Sequence, residues 1–117
     1  MAIPTDTPYL CLCTCPNTDT DAANSIAETL VTEGRAACVN ILPGVRSVYR
    51  WEGRIQRDDE WLLLIKTTAD QLQQLKLRVN ELHPYSTPEL ISVQIDDGLP
   101  AYLQWMADAT TADASAR

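Results

Sequence analysis

The sequence predicts an α+β domain of the ferredoxin-like class, in which a four-stranded antiparallel sheet carries two helices on one face. Three observations predict this class. Strand and helix patterns follow one another in the order β-α-β-β-α-β, and a short helical pattern comes after the last strand. The 117 residues suit a single domain, and 45% hydrophobic residues are enough for a core of ordinary size.

The first strand is predicted at Tyr9–Cys15 and ends at the turn signal Pro16-Asn17. Both of its faces are largely apolar, which indicates a central strand covered on both sides. Because side chains alternate along a strand, one face carries Cys11, Cys13 and Cys15, and the other carries Leu10, Leu12 and Thr14.

The first helix is predicted at Thr18–Glu33, where apolar residues recur at the spacing of one buried helical face. Gly34 follows directly and supplies a stop for the helix. Polar residues that favour a helix start precede the apolar pattern, and the candidates are Thr18, Asp19, Thr20 and Asp21.

A long strand region is predicted at Ala37–Trp51, with a bulge or bend at Pro43-Gly44. The dipeptide Glu52-Gly53 predicts a turn, after which the chain returns alongside the first strand of the pair. The return is predicted in three parts: the start of a strand at Arg54–Gln56, a charged connection at Arg57–Asp59 and a strand at Glu60–Thr67.

The second helix is predicted to begin at Thr68–Gln71, which matches a capping box. It is expected to end near His83, because Pro84 restricts the backbone of the residue before it. One side of this helix is apolar and carries Leu72, Leu75, Val79 and Leu82.

A strand at Leu90–Ile95 and a short helix at Leu99–Ala107 complete the predicted domain. The domain is expected to span residues 1–107. Residues 108–117 are small, polar and rich in alanine, which predicts a disordered tail.

The second face of the sheet is expected to be covered by another copy of the chain. Two helices cover only one face, although the first strand is apolar on both. The ribbon Ala37–Arg57 is also longer than a compact four-stranded sheet requires, and its overhang can pair with a neighbouring edge. A homo-oligomer is therefore predicted.

The charge balance excludes several partners. A net charge of −7 and a pI near 4.4 disfavour binding to nucleic acid and to anionic membrane surfaces. The longest apolar run is far shorter than a membrane span, and the N-terminus does not resemble a signal peptide. The expected compartment is the cytoplasm, where the four cysteines remain thiols.

Short motifs spread from Tyr9 to Met106 have an order and spacing typical of one protein family. They are Cys13-Thr14, Pro16, Ala36–Asn40, Pro43-Gly44, Ser47, Tyr49, Trp51–Gly53, Lys66-Thr67, His83–Tyr85, Pro88-Glu89, Tyr102-Leu103 and Trp105. Through them the chain resembles the CutA family of divalent-cation tolerance proteins. The resemblance implies a ferredoxin-like fold, a tight trimer formed by strand pairing between subunits, an architecture similar to PII signalling proteins, and a link to copper tolerance without an established catalytic activity.

The resemblance also implies a copper site. The copper ligands proposed for the family, a cysteine and a pair of histidines, fall here on Cys13, Leu82 and His83, so the histidine pair is broken. Cys13 and His83 remain as candidate ligands, and the sequence does not decide whether they meet within one subunit. Cys11 and Cys15 are interpreted as core residues, because alternate residues of a strand are about 6.6–6.8 Å apart.

A second candidate site is a cleft between subunits near the turn of the long ribbon. Its predicted lining residues are aromatic or charged: Tyr49, Trp51, Glu52, Lys66, Tyr85, Glu89 and Trp105. One interpretation is a pocket for a small effector, by analogy with PII proteins. The other, which we favour, is an interface held by aromatic packing and an ion pair between a lysine and a glutamate.

The pattern of residues does not support an enzyme. His83 is the single histidine, and the chain contains no phosphate-binding glycine motif. The leading hypothesis is a trimeric metal-binding or sensing module that acts in divalent-cation (copper) tolerance without turnover. The alternatives are a PII-like trimer that binds a small effector and a structural or interaction trimer that binds no ligand.

Overall fold

The strands and helices form in the predicted order within residues 3–18 and 21–110, which a computed structural model describes. A 3₁₀ turn at Ala69–Gln71 precedes the second helix. The elements are β1 (Pro8–Pro16), α1 (Ala22–Thr32), β2 (Cys38–Trp51), β3 (Arg54–Thr68), α2 (Leu72–Leu82), β4 (Ile91–Gln94) and α3 (Pro100–Ala109).

The four strands form one antiparallel sheet in the order β2-β3-β1-β4, so β1 is a central strand as predicted. The alternation predicted for β1 is confirmed, because the strand face that carries Cys11, Cys13 and Cys15 packs into the core. That core lies between the sheet and the two long helices, and it also includes Leu63 and Ile65 of β3 with Ala23, Ile26 and Leu30 of α1 and Leu75 and Val79 of α2.

Helix α1 is shorter than the predicted span, because it begins at Ala22 rather than at Thr18. Asp21 has a φ of 54°, in the left-handed region, and its side chain does not cap the helix. The cap candidates at positions 19 and 20 lie outside the described residues. The predicted stop is confirmed, since Gly34 has a φ of 75° and its N–H donates to the carbonyl of Val31 (3.1 Å).

The long ribbon is a two-stranded hairpin whose register shifts between Leu42 and Val45, which confirms the predicted irregularity at Pro43-Gly44. Glu52 and Gly53 both have positive φ values, as a two-residue hairpin turn requires. The charged connection predicted at Arg57–Asp59 is wrong, because these residues pair with β2 as part of a continuous β3. Water reaches both faces of this projecting ribbon, so charged residues fit within the strands.

The capping box predicted at Thr68–Gln71 does not form. The Thr68 hydroxyl contacts the Asp70 carboxylate (2.6 Å) and the Thr110 hydroxyl (3.0 Å) instead of a backbone N–H, and a 3₁₀ turn leads into α2. The end of the helix is as predicted, because α2 stops at Leu82 and His83 is already extended.

Helix α3 lies on the face of the sheet opposite to α1 and α2. The Lys66 ammonium, which shares its strand face with Leu64 and not with the core residue Ile65, sits 5.6 Å from the centre of the Tyr102 ring. Helix α3 continues to Ala109, two residues beyond the predicted helix end, and Thr110 is buried. Residues 111–117 lie outside the described part of the chain.

Much of this second face stays open in the single chain. Ile91 and Val93 of β4 are 57% and 50% exposed, and Leu42 of β2 is 40% exposed. Ile91 pairs with Leu12 and Val93 with Leu10 across the sheet, so these residues continue the apolar face of β1. None of the helices in the described ranges is long and apolar enough to cross a membrane.

Candidate metal centre and adjoining cleft

The end of α2 brings His83 against the core face of β1, beside Cys13 and Cys15. The candidate ligand atoms of these three residues all lie within 4.8 Å of one another, and all three side chains are buried. The Cys15 sulfur is 3.7 Å from Nε2 of His83. Cys13 and His83 therefore meet within one subunit, which the sequence had left open.

Two hydrogen bonds hold the imidazole of His83. The Tyr85 backbone N–H donates to Nδ1 (3.1 Å), and Nε2 is 2.7 Å from the carbonyl oxygen of Thr14. Because a carbonyl oxygen only accepts, this network assigns the proton of the neutral ring to Nε2. His83 thus ties the segment after α2 to the backbone of β1.

The two cysteines are in opposite electrostatic situations. Interaction with the neighbouring Cys13 thiol, supported by His83, lowers the pKa of Cys15 to about 6, although burial opposes this shift. The same interaction, together with burial, raises the pKa of Cys13, whose thiol donates to the carbonyl of Thr14 (3.8 Å). Cys15 is therefore the member of the pair that loses its proton more readily, and a thiolate is the form that binds metals.

The remaining thiol on this strand face behaves as an ordinary buried cysteine. Burial raises the pKa of Cys11 to about 11 against a weaker opposing effect of Lys76. Burial disfavours the charged form of His83, but its contacts with Cys15 and with the Thr14 carbonyl outweigh this effect and raise its pKa. The low pKa is thus confined to the sulfur beside the imidazole.

Two thiols and one imidazole form a soft donor set. Thiolate ligands favour Cu(I) and zinc, and imidazole suits both copper and zinc. The residues present therefore fit a soft metal ion with three protein ligands. Leu82, where the resemblance expected a histidine, is partly buried against the core and offers no ligand.

Cys15 is the member of this cluster that the sequence analysis missed. The spacing of alternate residues along β1 predicted sulfur atoms too far apart to share an ion, but the ligand atoms converge to within 4.8 Å. Side chains on a strand lean along it, so two sulfur atoms can approach more closely than their Cα atoms. The Cys13-x-Cys15 pattern was the available signal, but it indicates a metal site only together with the position of His83 beside both sulfur atoms.

A cleft adjoins this cluster on the opposite face of the sheet. It encloses about 640 Å³ between the β2–β3 hairpin and the segment that follows His83. Thr14 and Tyr85, which both hold the imidazole, also line the cleft. The other lining residues are Ser47, Val48, Tyr49, Trp51, Asp58, Glu60, Ser86, Thr87 and Glu89.

Two tyrosine–carboxylate pairs organise the polar part of the cleft. The Tyr49 hydroxyl donates to Asp58, and the Tyr85 hydroxyl donates to Glu60 (3.0 Å). The hydrogen bond to Asp58 raises the pKa of Tyr49. Burial and then the bond to Glu60 raise the pKa of Tyr85. Both hydroxyls therefore stay protonated at neutral pH and keep donating to carboxylates.

The predicted cleft residues divide into groups. Tyr49, Trp51, Tyr85 and Glu89 line the cleft, whereas Glu52 lies in the hairpin turn outside it. Lys66 and Trp105 both contact Tyr102 of α3 instead. The ion pairs found among residues 3–18 and 21–110 of the single chain are all formed by arginine, so the lysine–glutamate pair predicted for an interface between subunits stays a prediction.

Asp58 and Glu60 line the cleft but were not predicted to do so. They lie in and next to the segment that the sequence analysis read as a solvated connection. Their alternation with Leu62 and Leu64 was the signal that could have placed them on the second face of the sheet.

Comparison with known proteins places the chain among metal-tolerance proteins. The family model described as "CutA1 divalent ion tolerance protein" matches residues 9–109. A divalent-cation tolerance protein CutA of Thermus thermophilus is 48% identical over 90 residues, which cover 77% of this chain and 87% of that protein. The chloroplastic protein CutA of Arabidopsis thaliana is 45% identical over 97 residues, which cover 83% of this chain and 52% of that protein.

Solved structures agree with this placement. The crystal structure of CutA from Xylella fastidiosa superposes with a TM-score of 0.85 at 45% identity, covering 90% of this chain and 99% of that one. CutA1 from Oryza sativa gives a TM-score of 0.85 at 40% identity, covering 91% of this chain and 97% of that one. The predicted ferredoxin-like fold with a short C-terminal helix is therefore confirmed.

Proposed function

Because this chain belongs to the CutA1 divalent ion tolerance family, we propose that it serves divalent-cation tolerance as a trimeric module that binds or senses a soft metal ion. The observation that carries the proposal is the convergence of Cys13, Cys15 and His83 within 4.8 Å. Copper in its Cu(I) form is the ion that this donor set and a reducing cytoplasm favour. The proposed role is binding without turnover.

Binding at this cluster is linked to proton release and to movement of the cleft wall. Cys15 gives up its proton more readily than Cys13, which must lose a more tightly held proton to become a ligand. His83 can coordinate only through a ring nitrogen with a free lone pair, and both nitrogens are engaged with Thr14 and Tyr85. Coordination therefore exchanges one of those bonds. Because Thr14 and Tyr85 also line the cleft, a metal ion bound at the cluster changes contacts of residues in the cleft wall.

The trimer is supported by the open apolar face. Ile91, Val93 and Leu42 remain exposed beside the buried centre of the sheet, and the long hairpin projects beyond it. A soluble chain covers such a face by association. The alternative of a PII-like trimer that binds a small effector is supported by the cleft. The alternative of a purely structural trimer applies if neither the cluster nor the cleft binds a ligand.

Native mass spectrometry of the reduced protein under exclusion of oxygen tests this function. We expect a species of about 39 kDa, three copies of the 13.0 kDa chain, that takes up three Cu(I) ions in defined steps. Cys13→Ala should abolish this uptake. Cys38→Ala, which removes a thiol outside the cluster, should leave it unchanged.

A monomer under these conditions contradicts the assembly. A trimer with only diffuse copper adducts, or equal uptake by Cys13→Ala, contradicts the metal-binding function and leaves the structural trimer as the better account.

A further inference from the structure

We propose that the cleft binds a small organic cation that carries a primary ammonium or guanidinium group. This site is separate from the Cys13–Cys15–His83 cluster, which lies on the other face of the sheet, and its ligand is not a metal ion. The proposal is therefore tested on the metal-free protein, where copper binding plays no part.

The first support is Glu60, a carboxylate with no cationic partner in the described part of the chain. Its residue is only 5% exposed, and its side chain lines the cleft. The Tyr85 hydroxyl donates one hydrogen bond to it, but no ion pair reaches it from the described residues. A buried carboxylate is costly unless a positive charge compensates it. A cationic group in the cleft supplies that charge.

The second support is the composition of the walls. Three aromatic residues, Tyr49, Trp51 and Tyr85, face a space that also contains the carboxylates of Asp58 and Glu89. Aromatic rings attract organic cations through their faces, and this attraction grows when water is displaced. Among residues 3–18 and 21–110, the cleft lining contains no lysine and no arginine, so an anionic effector would meet uncompensated negative charge.

The third support is the separation of the carboxylates. Within the described residues, the group of three candidate ligands that converges tightly enough for a metal ion is the cysteine–histidine cluster, not the acids of the cleft. A cleft of about 640 Å³ instead matches the size of a small organic ligand. An elongated dication can reach two separated carboxylates at once, as one compact ion cannot.

Isothermal titration calorimetry with agmatine, a small dication with one ammonium and one guanidinium group, tests the proposal. We expect saturable binding of one agmatine per chain by the metal-free trimer and no binding of inorganic triphosphate. Glu60→Gln keeps an acceptor for Tyr85 but removes the charge, and it should weaken binding at least tenfold. Asp96→Asn removes an exposed charge outside the cleft and should change binding less than twofold.

A second variant tests the cleft even if Glu60→Gln fails to fold. Trp51 is half exposed on the hairpin, so Trp51→Leu should keep the fold and weaken agmatine binding about two- to fivefold through the lost cation–π contact. Absence of agmatine binding overturns the proposal, and it is the result expected if an arginine of a neighbouring copy fills the cleft. Equal weakening by Glu60→Gln and Asp96→Asn also overturns it, because binding would then follow net charge alone.

Discussion

Replacing Cys15 by alanine separates a metal ligand from a core residue, because Cys11 provides a matched control. Cys11 and Cys15 are fully buried on the same face of β1, four residues apart, and both belong to the same hydrophobic core. Only Cys15 lies within reach of Cys13 and His83. The two substitutions therefore remove the same atom from similar surroundings but differ in their effect on the cluster.

The expected magnitudes follow from this difference. Loss of one buried heavy atom costs about 1 kcal/mol of unfolding free energy in each variant, and Cys15→Ala should lose more than Cys11→Ala because it also removes the contacts of Cys15 with Cys13 and His83. Loss of one of three ligands should weaken Cu(I) binding by roughly 100-fold or more, since loss of outer contacts alone costs about 10- to 100-fold. Cys15→Ala should show this weakening, and Cys11→Ala should stay within about threefold of the wild type.

Competition with a Cu(I) chelator under exclusion of oxygen measures the affinity, and urea unfolding at one fixed protein concentration measures the stability. Equal affinities for the two variants would refute the assignment of Cys15 as a ligand. Such a result would return Cys15 to the role of a core residue, which is how the sequence analysis interpreted it.

Three further predictions concern pH, packing and the backbone. Affinity for Cu(I) should fall more steeply as the pH drops through about 6, because below that value the ion must displace a proton from Cys15 as well as from His83, whose pKa is raised; chelator competition across a pH series measures this, and a slope that does not steepen near 6 would contradict the lowered pKa of Cys15. Leu30→Ala removes a fully buried side chain and should lower the unfolding free energy by about 2–5 kcal/mol, against about 0.5 kcal/mol or less for the half-exposed Leu77→Ala, both read from urea unfolding. Gly34→Ala places a side chain at a φ of 75° and should cost about 1–2 kcal/mol in the same assay, and an unchanged midpoint would show that the helix end relaxes.

The sequence predicted those parts of the fold that depend on local periodicity. The alternation in β1, the helical face of α1 and the glycine that ends α1 each appear within a short window, and each is confirmed. The connection predicted at Arg57–Asp59 failed for a tertiary reason. Charged residues predict a loop when each strand is assumed to be half buried, but they are compatible with a hairpin that projects into water.

The candidate site was predictable only in part for a similar reason. Cys13 and His83 carry the resemblance to the family, so both could be named from the sequence. The contact between Cys15 and His83 joins residues 68 positions apart, and it depends on where the C-terminal end of α2 packs against β1. Glu60 was missed because its burial comes from Tyr85 and the cleft walls, which no local pattern specifies.

X-ray absorption at the copper edge of the reduced, Cu(I)-loaded trimer tests the central claim most directly, because it counts the atoms bound to the ion. Coordination by Cys13, Cys15 and His83 predicts a first shell of two sulfur atoms and one nitrogen per copper. A shell without sulfur, or with a single sulfur atom, would contradict the cluster as the metal site.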